Sequence, residues 1–108
     1  MPTALIVEDC AERDAELRRR LAGYAVTIAR SYDEAVAKLH ATTFDVVSLD
    51  FDLGGPNGND VAMFLAGLPV PRRPYTVIVH SMNPVGARRI VATLGTAGIP
   101  TVVRPFGI

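Results

Sequence analysis

Five short apolar runs rich in β-branched residues recur along the chain, and each of the first four is followed by turn residues and a stretch with helical spacing. Residues 3–8, 25–30, 44–50, 75–80 and 101–104 read as strands, with helices over 11–22, from Ser31 onward, over 59–68 and over 84–95. Parallel neighbours need crossover connections, and here every crossover has the length of one helix. The alternation therefore predicts an α/β domain, a five-stranded parallel sheet wound with helices on both faces.

Local signals sharpen the boundaries. Leu17 and Leu21 lie four apart on one face of the first helix. Ser31-Tyr32-Asp33-Glu34 has the form of a capping box, with Ala35, Val36 and Leu39 turned inward behind it. DLGGPNGND (52–60) is too rich in turn residues to continue a strand. PVPRRP (69–74) excludes a helix or central strand and reads as a linker whose Arg72 and Arg73 are solvated. Asn83-Pro84 places an N-cap before a proline at the first helical position, ahead of an inward face of Ala87, Ile90, Val91 and Leu94.

With 108 residues, 49% of them hydrophobic, the chain can build one real core but not two, so residues 1–108 are expected to form a single domain. Eleven Lys+Arg balance eleven Asp+Glu, which leaves no overall field favouring nucleic acid or an anionic membrane. The lone Cys10 excludes an internal disulfide and suits a reducing compartment. Neither a signal-peptide pattern nor a span of about 20 apolar residues is present, and a cytoplasmic protein is expected.

Ligands of open α/β sheets bind in the crevice at the carboxyl ends of the strands. Two strands end there in chemistry-bearing residues. VVSLDFDLGGPNG (46–58) carries Asp50 and Asp52, and VIVHSMNPVGARRI (77–90) carries His80 and Ser81, so these four are expected to converge.

The set and spacing of strand-end residues resembles the receiver domain of two-component response regulators, a flavodoxin-like fold with strand order 2-1-3-4-5. The likeness spans residues 3–107. It rests on the acidic pair Glu8-Asp9 after the first strand and on Asp50 ending the third, with Gly58 eight positions on. Ser81 after the fourth strand and Arg104-Pro105 after the fifth complete it. The resemblance implies that Asp50 accepts a phosphoryl group, forming an acyl phosphate whose oxygens are met by a cationic side chain, Arg104, and by Ser81. Carboxylates gathered in one crevice repel each other, and a hard divalent cation is their natural counter-charge. Mg²⁺ is the expected ion, with Asp9 and Asp50 as direct ligands, Glu8 direct or through water, and the Asp52 carbonyl as a further candidate.

The chain also departs from that pattern. Met82 stands where receivers have a small residue, Gly54 where proline is common, and Arg104 where a lysine is usual. Arginine keeps the charge, but its planar fork does not replace a compact ammonium. The pattern also stops after the fifth strand, so the usual last helix is expected to be missing.

A second resemblance is narrower. SLDFDLG and HSMNPVGARRI are similar to the D-x-D-L-G and H-S-x-N-P-V-G elements of cyclic-phosphate processing receiver domains. In that family His80 would serve as a general base, general acid or metal ligand, with Asp52 orienting it or adding a ligand. Against this stands strand alternation, by which His80 could point away from Ser81. His40 and the pair Arg88-Arg89 read as solvated helix residues.

Three readings of function follow. The leading one is a stand-alone receiver that takes a phosphoryl group from a histidine kinase or phosphotransfer protein and acts through an output partner protein. The second is a metal-dependent enzyme handling cyclic phosphates with Asp50, Asp52 and His80. The third is a pseudo-receiver that keeps only the fold, as a protein-interaction module. None of them calls for nucleic-acid or membrane contact, and a homodimer would cover the sheet face left bare by the missing helix.

Overall fold

The computed structural model describes residues 1–106. Gly107, the last position of the receiver likeness, lies outside the described residues. The elements run β1 (Thr3–Val7), α1 (Asp14–Arg20), β2 (Ala25–Ala29), α2 (Tyr32–Ala41), β3 (Val46–Leu49), α3 (Gly58–Gly67), β4 (Thr76–Val79), α4 (Pro84–Thr96) and β5 (Thr101–Val103). All pairings are parallel and the order is β2-β1-β3-β4-β5, the doubly wound arrangement expected.

The helix starts follow from side-chain caps. Ser31 Oγ accepts the Glu34 amide at 3.2 Å, while the Glu34 carboxylate reaches back to the amide of Arg30 rather than to that of Ser31. Asn57 and Asp60 form a full capping box, which starts α3 at Gly58, one residue before the expected position. Asn83 Oδ1 accepts the Gly86 amide at 3.1 Å.

Two expectations need correction. The first helical segment opens as a 3₁₀ turn over Ala11–Arg13, and its α-helix ends at Arg20. The PVPRRP segment holds a 3₁₀ turn at Val70–Arg72, which its prolines permit because the first positions of such a turn need no amide partner. Nor are its arginines solvated linker charges. Arg72 donates to the carbonyls of Leu39 and His40 near the end of α2, and Arg73 to those of Ala66 and Leu68 around the end of α3 and of Ala97 after α4. Cationic donors at helix C-termini satisfy carbonyls that the helix cannot pair and complement its dipole.

Strand alternation divides the core in two. Leu5, Val7, Val47, Leu49, Val77 and Val79 face α2, α3 and α4, which contribute Leu39, Val61, Leu65, Ile90 and Leu94. Ala4, Ile6 and Val46 face the other way, onto Leu17 and Leu21, with Ile78 and Phe106 beside them. Each fully buried aliphatic side chain contributes roughly 1.5–3 kcal/mol, so the three-helix face carries most of the apolar stabilisation. On the α1 face the cover thins toward β5, where Val102 is exposed.

Candidate functional site

Strand register assembles the site. Val7, Leu49 and Val79 are partners across β1, β3 and β4, so the residues that follow them, Glu8, Asp50 and His80, form the next row. The Asp50 amide donates to the Val7 carbonyl and the His80 amide to the Leu49 carbonyl, both at 3.1 Å, extending the ladder through that row. Alternation puts all three on the α1 face, the face of Ile6, Ser48 and Ile78. His80 thus turns toward the acidic cluster and away from the face of Val79.

The three side chains are buried together: Glu8 and His80 are fully covered and Asp50 is 3% exposed. His80 Nε2 lies 3.0 Å from Glu8 Oε1, and His80 Nδ1 lies 2.7 Å from Ser48 Oγ. These contacts are satisfied when Nε2–H donates to an ionised Glu8 and the Ser48 hydroxyl donates to Nδ1. The second Glu8 oxygen accepts the Cys10 amide at 3.0 Å, and Asp50 Oδ1 accepts the Phe51 amide at 2.8 Å. One atom of each of Glu8, Asp50 and His80 lies within 4.8 Å of the others, a spacing that fits a single metal ion. The row's cation is Arg13, from the 3₁₀ turn after β1. Its Nη1 stands 3.6 Å from Glu8 Oε1 and 3.8 Å from Asp50 Oδ2, and its guanidinium lies over the Phe106 ring.

Environment divides the carboxyls. Burial acts to raise the Glu8 pKa, but the hydrogen bonds from His80 and from the Cys10 amide outweigh it, leaving Glu8 below the ordinary carboxylate value. Asp50 is shifted upward by burial and then by the charge of Glu8, against the opposing pull of His80, the Phe51 amide and the Ser81 hydroxyl. Asp9 is also raised, by burial and by Glu8. The row therefore holds one carboxyl kept ionised beside one that retains its proton more readily.

Above it opens a cavity of about 290 Å³ lined by Asp9, Cys10, Arg13, Asp50, Asp52, Met82 and Asn83. Asp9 and Asp52 are exposed at its rim, so the buried triple is completed by His80 rather than by either of them. Asp52 does not orient His80, whose ring nitrogens are taken by Ser48 and Glu8. Ser81 is 2% exposed, and its hydroxyl accepts the Asn83 amide at 3.1 Å. Arg104 continues the row on β5, its amide bonded to the Val79 carbonyl. Its side chain is exposed and forms no ion pair among the described residues. In that row β4 lies between β5 and β3, which puts Arg104 two strand spacings, about 10 Å, from Asp50 with His80 between them.

Two glycines let backbone and ring approach the site. A Cβ on Gly58 would collide with the Asp50 carbonyl oxygen, and one on Gly86 with the ring of Phe51. Gly58 thus holds the start of α3 against the strand end that presents Asp50, its amide donating to Phe51 O at 2.7 Å. Sequence reading missed Ser48 and Arg13. Ser48 was open to discovery, because two residues before Asp50 on a strand is the same face. Arg13 had no such signal, since its reach depends on the 3₁₀ turn.

A family model described as the cyclic-phosphate processing receiver domain matches residues 3–96. No curated protein matches. Among solved structures, the response regulator protein TrrA from Thermotoga maritima, in complex with Mg²⁺-BeF, superposes with a TM-score of 0.77 at 24% identity over 99% of this chain and 90% of its own. A CheY-like response regulator receiver domain from Methylobacillus flagellatus gives 0.75 at 19% identity, over 100% and 88% of the two chains. A response regulator protein from Burkholderia pseudomallei, with a phosphorylated aspartic acid, calcium ion and citrate, gives 0.74 at 24% identity, over 100% and 62%. At these identities the likeness to solved structures establishes the fold alone.

Proposed function

From the premise that this chain belongs to the cyclic-phosphate processing receiver domain family, we propose that its strand-end cleft binds a cyclic phosphate and opens the ring by hydrolysis. The observation that carries this reading is the buried imidazole of His80, held between Ser48 and Glu8 in the same row as Asp50. A surface that only accepts a phosphoryl group on an aspartate does not need a fully covered histidine fixing its neighbouring carboxylate.

The roles follow from the surroundings. Arg13 is the cation placed to meet phosphoryl oxygens. Asp50, at the floor of the cavity with its pKa raised by burial and by Glu8, is placed to take a proton from an attacking water. As water bonds to phosphorus, one ring P–O bond breaks, and the departing alkoxide oxygen takes up a proton from Asp50. His80 is a positioning residue, because it touches Glu8 and Ser48 but does not line the cavity.

Three rim and floor acids around one arginine would repel a phosphate, so the reading includes a divalent cation. Asp9, Asp50 and Asp52, which line the cavity, would hold it, with Glu8 beneath them. When bound, it would offset the negative charge and polarise a phosphoryl oxygen. Mg²⁺ suits the carboxylates, and Mn²⁺ shares their preference for oxygen ligands.

Phosphorus NMR of 2′,3′-cyclic AMP incubated with the protein and Mg²⁺ or Mn²⁺ tests the reading. Conversion to a monophosphate that is lost in Asp50→Asn supports it, and Arg13→Ala should raise KM. Absence of turnover with any of these metals overturns it.

One observation favours a second reading, phosphoryl acceptance. Asp50 lines the cleft with the acids of the first and third strand ends around it. In that case a small phosphodonor adds about 80 Da, the mass of one phosphoryl group, and Asp50→Asn abolishes the adduct. A histidine kinase or phosphotransfer protein would be the donor, and a partner protein would receive the signal.

A further inference from the structure

A second cavity, of about 670 Å³, lies between α4 and β5. Met82 belongs to both linings, so the apolar cavity begins where the acidic cleft ends. Its walls are nearly all carbon: Pro84, Ala87 and Val91 from α4 face Val103 and Pro105. One polar side chain interrupts them, that of Arg88, since the Ser81 hydroxyl is buried against the Asn83 amide. No acidic residue lines it, and Arg88 forms no ion pair among the described residues.

We propose that this cavity is the base subsite of the protein, receiving the flat heterocycle of a nucleotide whose cyclic phosphate sits in the acidic cleft. The proposal rests on the reading of that cleft as a phosphate site. Size is the first argument. Small-molecule sites run to about 300–1,000 Å³, and the acidic cleft, at about 290 Å³, has room for a phosphate and an ion but little more. The second cavity adjoins the cleft at Met82 and is the apolar one of its neighbours, since the other, of about 560 Å³, is lined by Asp9, Asp52 and the turn glycines Gly54 and Gly55.

Chemistry is the second argument. An apolar concavity with a guanidinium beside it suits an uncharged aromatic ring, which an arginine can stack upon. The positive Arg88 and the absence of acids disfavour a cationic ligand. Met82 fits the hinge between the two subsites. It is 59% exposed despite its apolar side chain, and a flexible thioether packs well against ring edges.

Ala92 lines the cavity from an exposed position on α4, so Ala92→Trp fills it without entering the core. Calorimetry in the presence of Mn²⁺ should show 3′-AMP, a product that carries both base and phosphate, weakened by at least about tenfold in Ala92→Trp, or about 1.4 kcal/mol, with inorganic phosphate unchanged. Asp50→Asn should weaken both. Equal affinity of Ala92→Trp and the parent for 3′-AMP overturns the base subsite, as does an equal loss for both probes. If the parent protein binds neither probe, the phosphate reading of the cleft fails instead, and adenosine alone then decides the cavity. Saturable NMR shifts confined to Ala87, Val91 and Val103 would keep it as a heterocycle site; no shifts would overturn it.

Discussion

His80 and Glu8 meet 3.0 Å apart, Nε2 to Oε1, with both side chains completely buried at the ends of β4 and β1. Between those two strands lies β3, whose Ser48 holds the other ring nitrogen. The imidazole therefore ties together the three strand ends that form the floor of the site.

Removing His80 leaves a buried carboxylate with its main partner gone. Leaving a buried charged group without its hydrogen-bond partner typically costs about 1–3 kcal/mol or more. His80→Ala should lower unfolding stability in urea by that order, and adding Glu8→Gln should recover part of the loss. Additive effects of the two substitutions would show that the contact does not couple them.

Asp50 makes stability depend on pH in the opposite sense to most paired acids. Its folded-state pKa is raised, by burial first and then by Glu8, so the folded protein binds its proton more tightly than the unfolded chain does. Ionised Asp50 thus opposes folding, and its penalty grows as pH rises from the unfolded value through the folded one. Asp50→Asn should melt higher than the parent at pH 7, with the difference shrinking as the pH falls toward 4. A lower Tm for the variant across this range would contradict the assignment.

Asp14 behaves conventionally. Arg30 holds it through two contacts, at 2.8 and 2.6 Å. That hydrogen bonding, against a smaller opposing effect of burial, lowers its pKa. The stabilisation is present above the unfolded carboxyl value and is lost as pH falls through the folded one. Asp14→Asn should therefore reduce Tm at neutral pH and converge with the parent in acid, as a series of thermal melts would reveal.

Gly86 offers a test of packing beneath the site. A methyl group there would run into the Phe51 ring, and overpacking typically costs 1–3 kcal/mol. Gly86→Ala should destabilise by about that amount in chemical denaturation, and Phe51→Leu in the same chain should relieve some of the loss. If Gly86→Ala is neutral, the ring yields without strain.

Much of this protein was legible in its sequence because the signals involved are local. Strand and helix periodicity gave the doubly wound sheet, the N-caps at Ser31 and Asn83 were visible as short motifs, and acids at strand ends marked the crevice. The direction of His80 was not legible, since two faces of a strand are equivalent until register and a covering helix distinguish them. Tertiary structure chose the face of Ser48 and Glu8. It also brought to the acids a cation that no motif marked. Arg104, the arginine that motif reading selected, stands beyond β4, while Arg13, which no motif marked, comes within 4 Å of both buried carboxylates. Periodicity and caps act within a few residues and can be read along the chain. Glu8 and His80 meet from 72 positions apart, and strand register decides such meetings, while the 3₁₀ turn brings Arg13 to them.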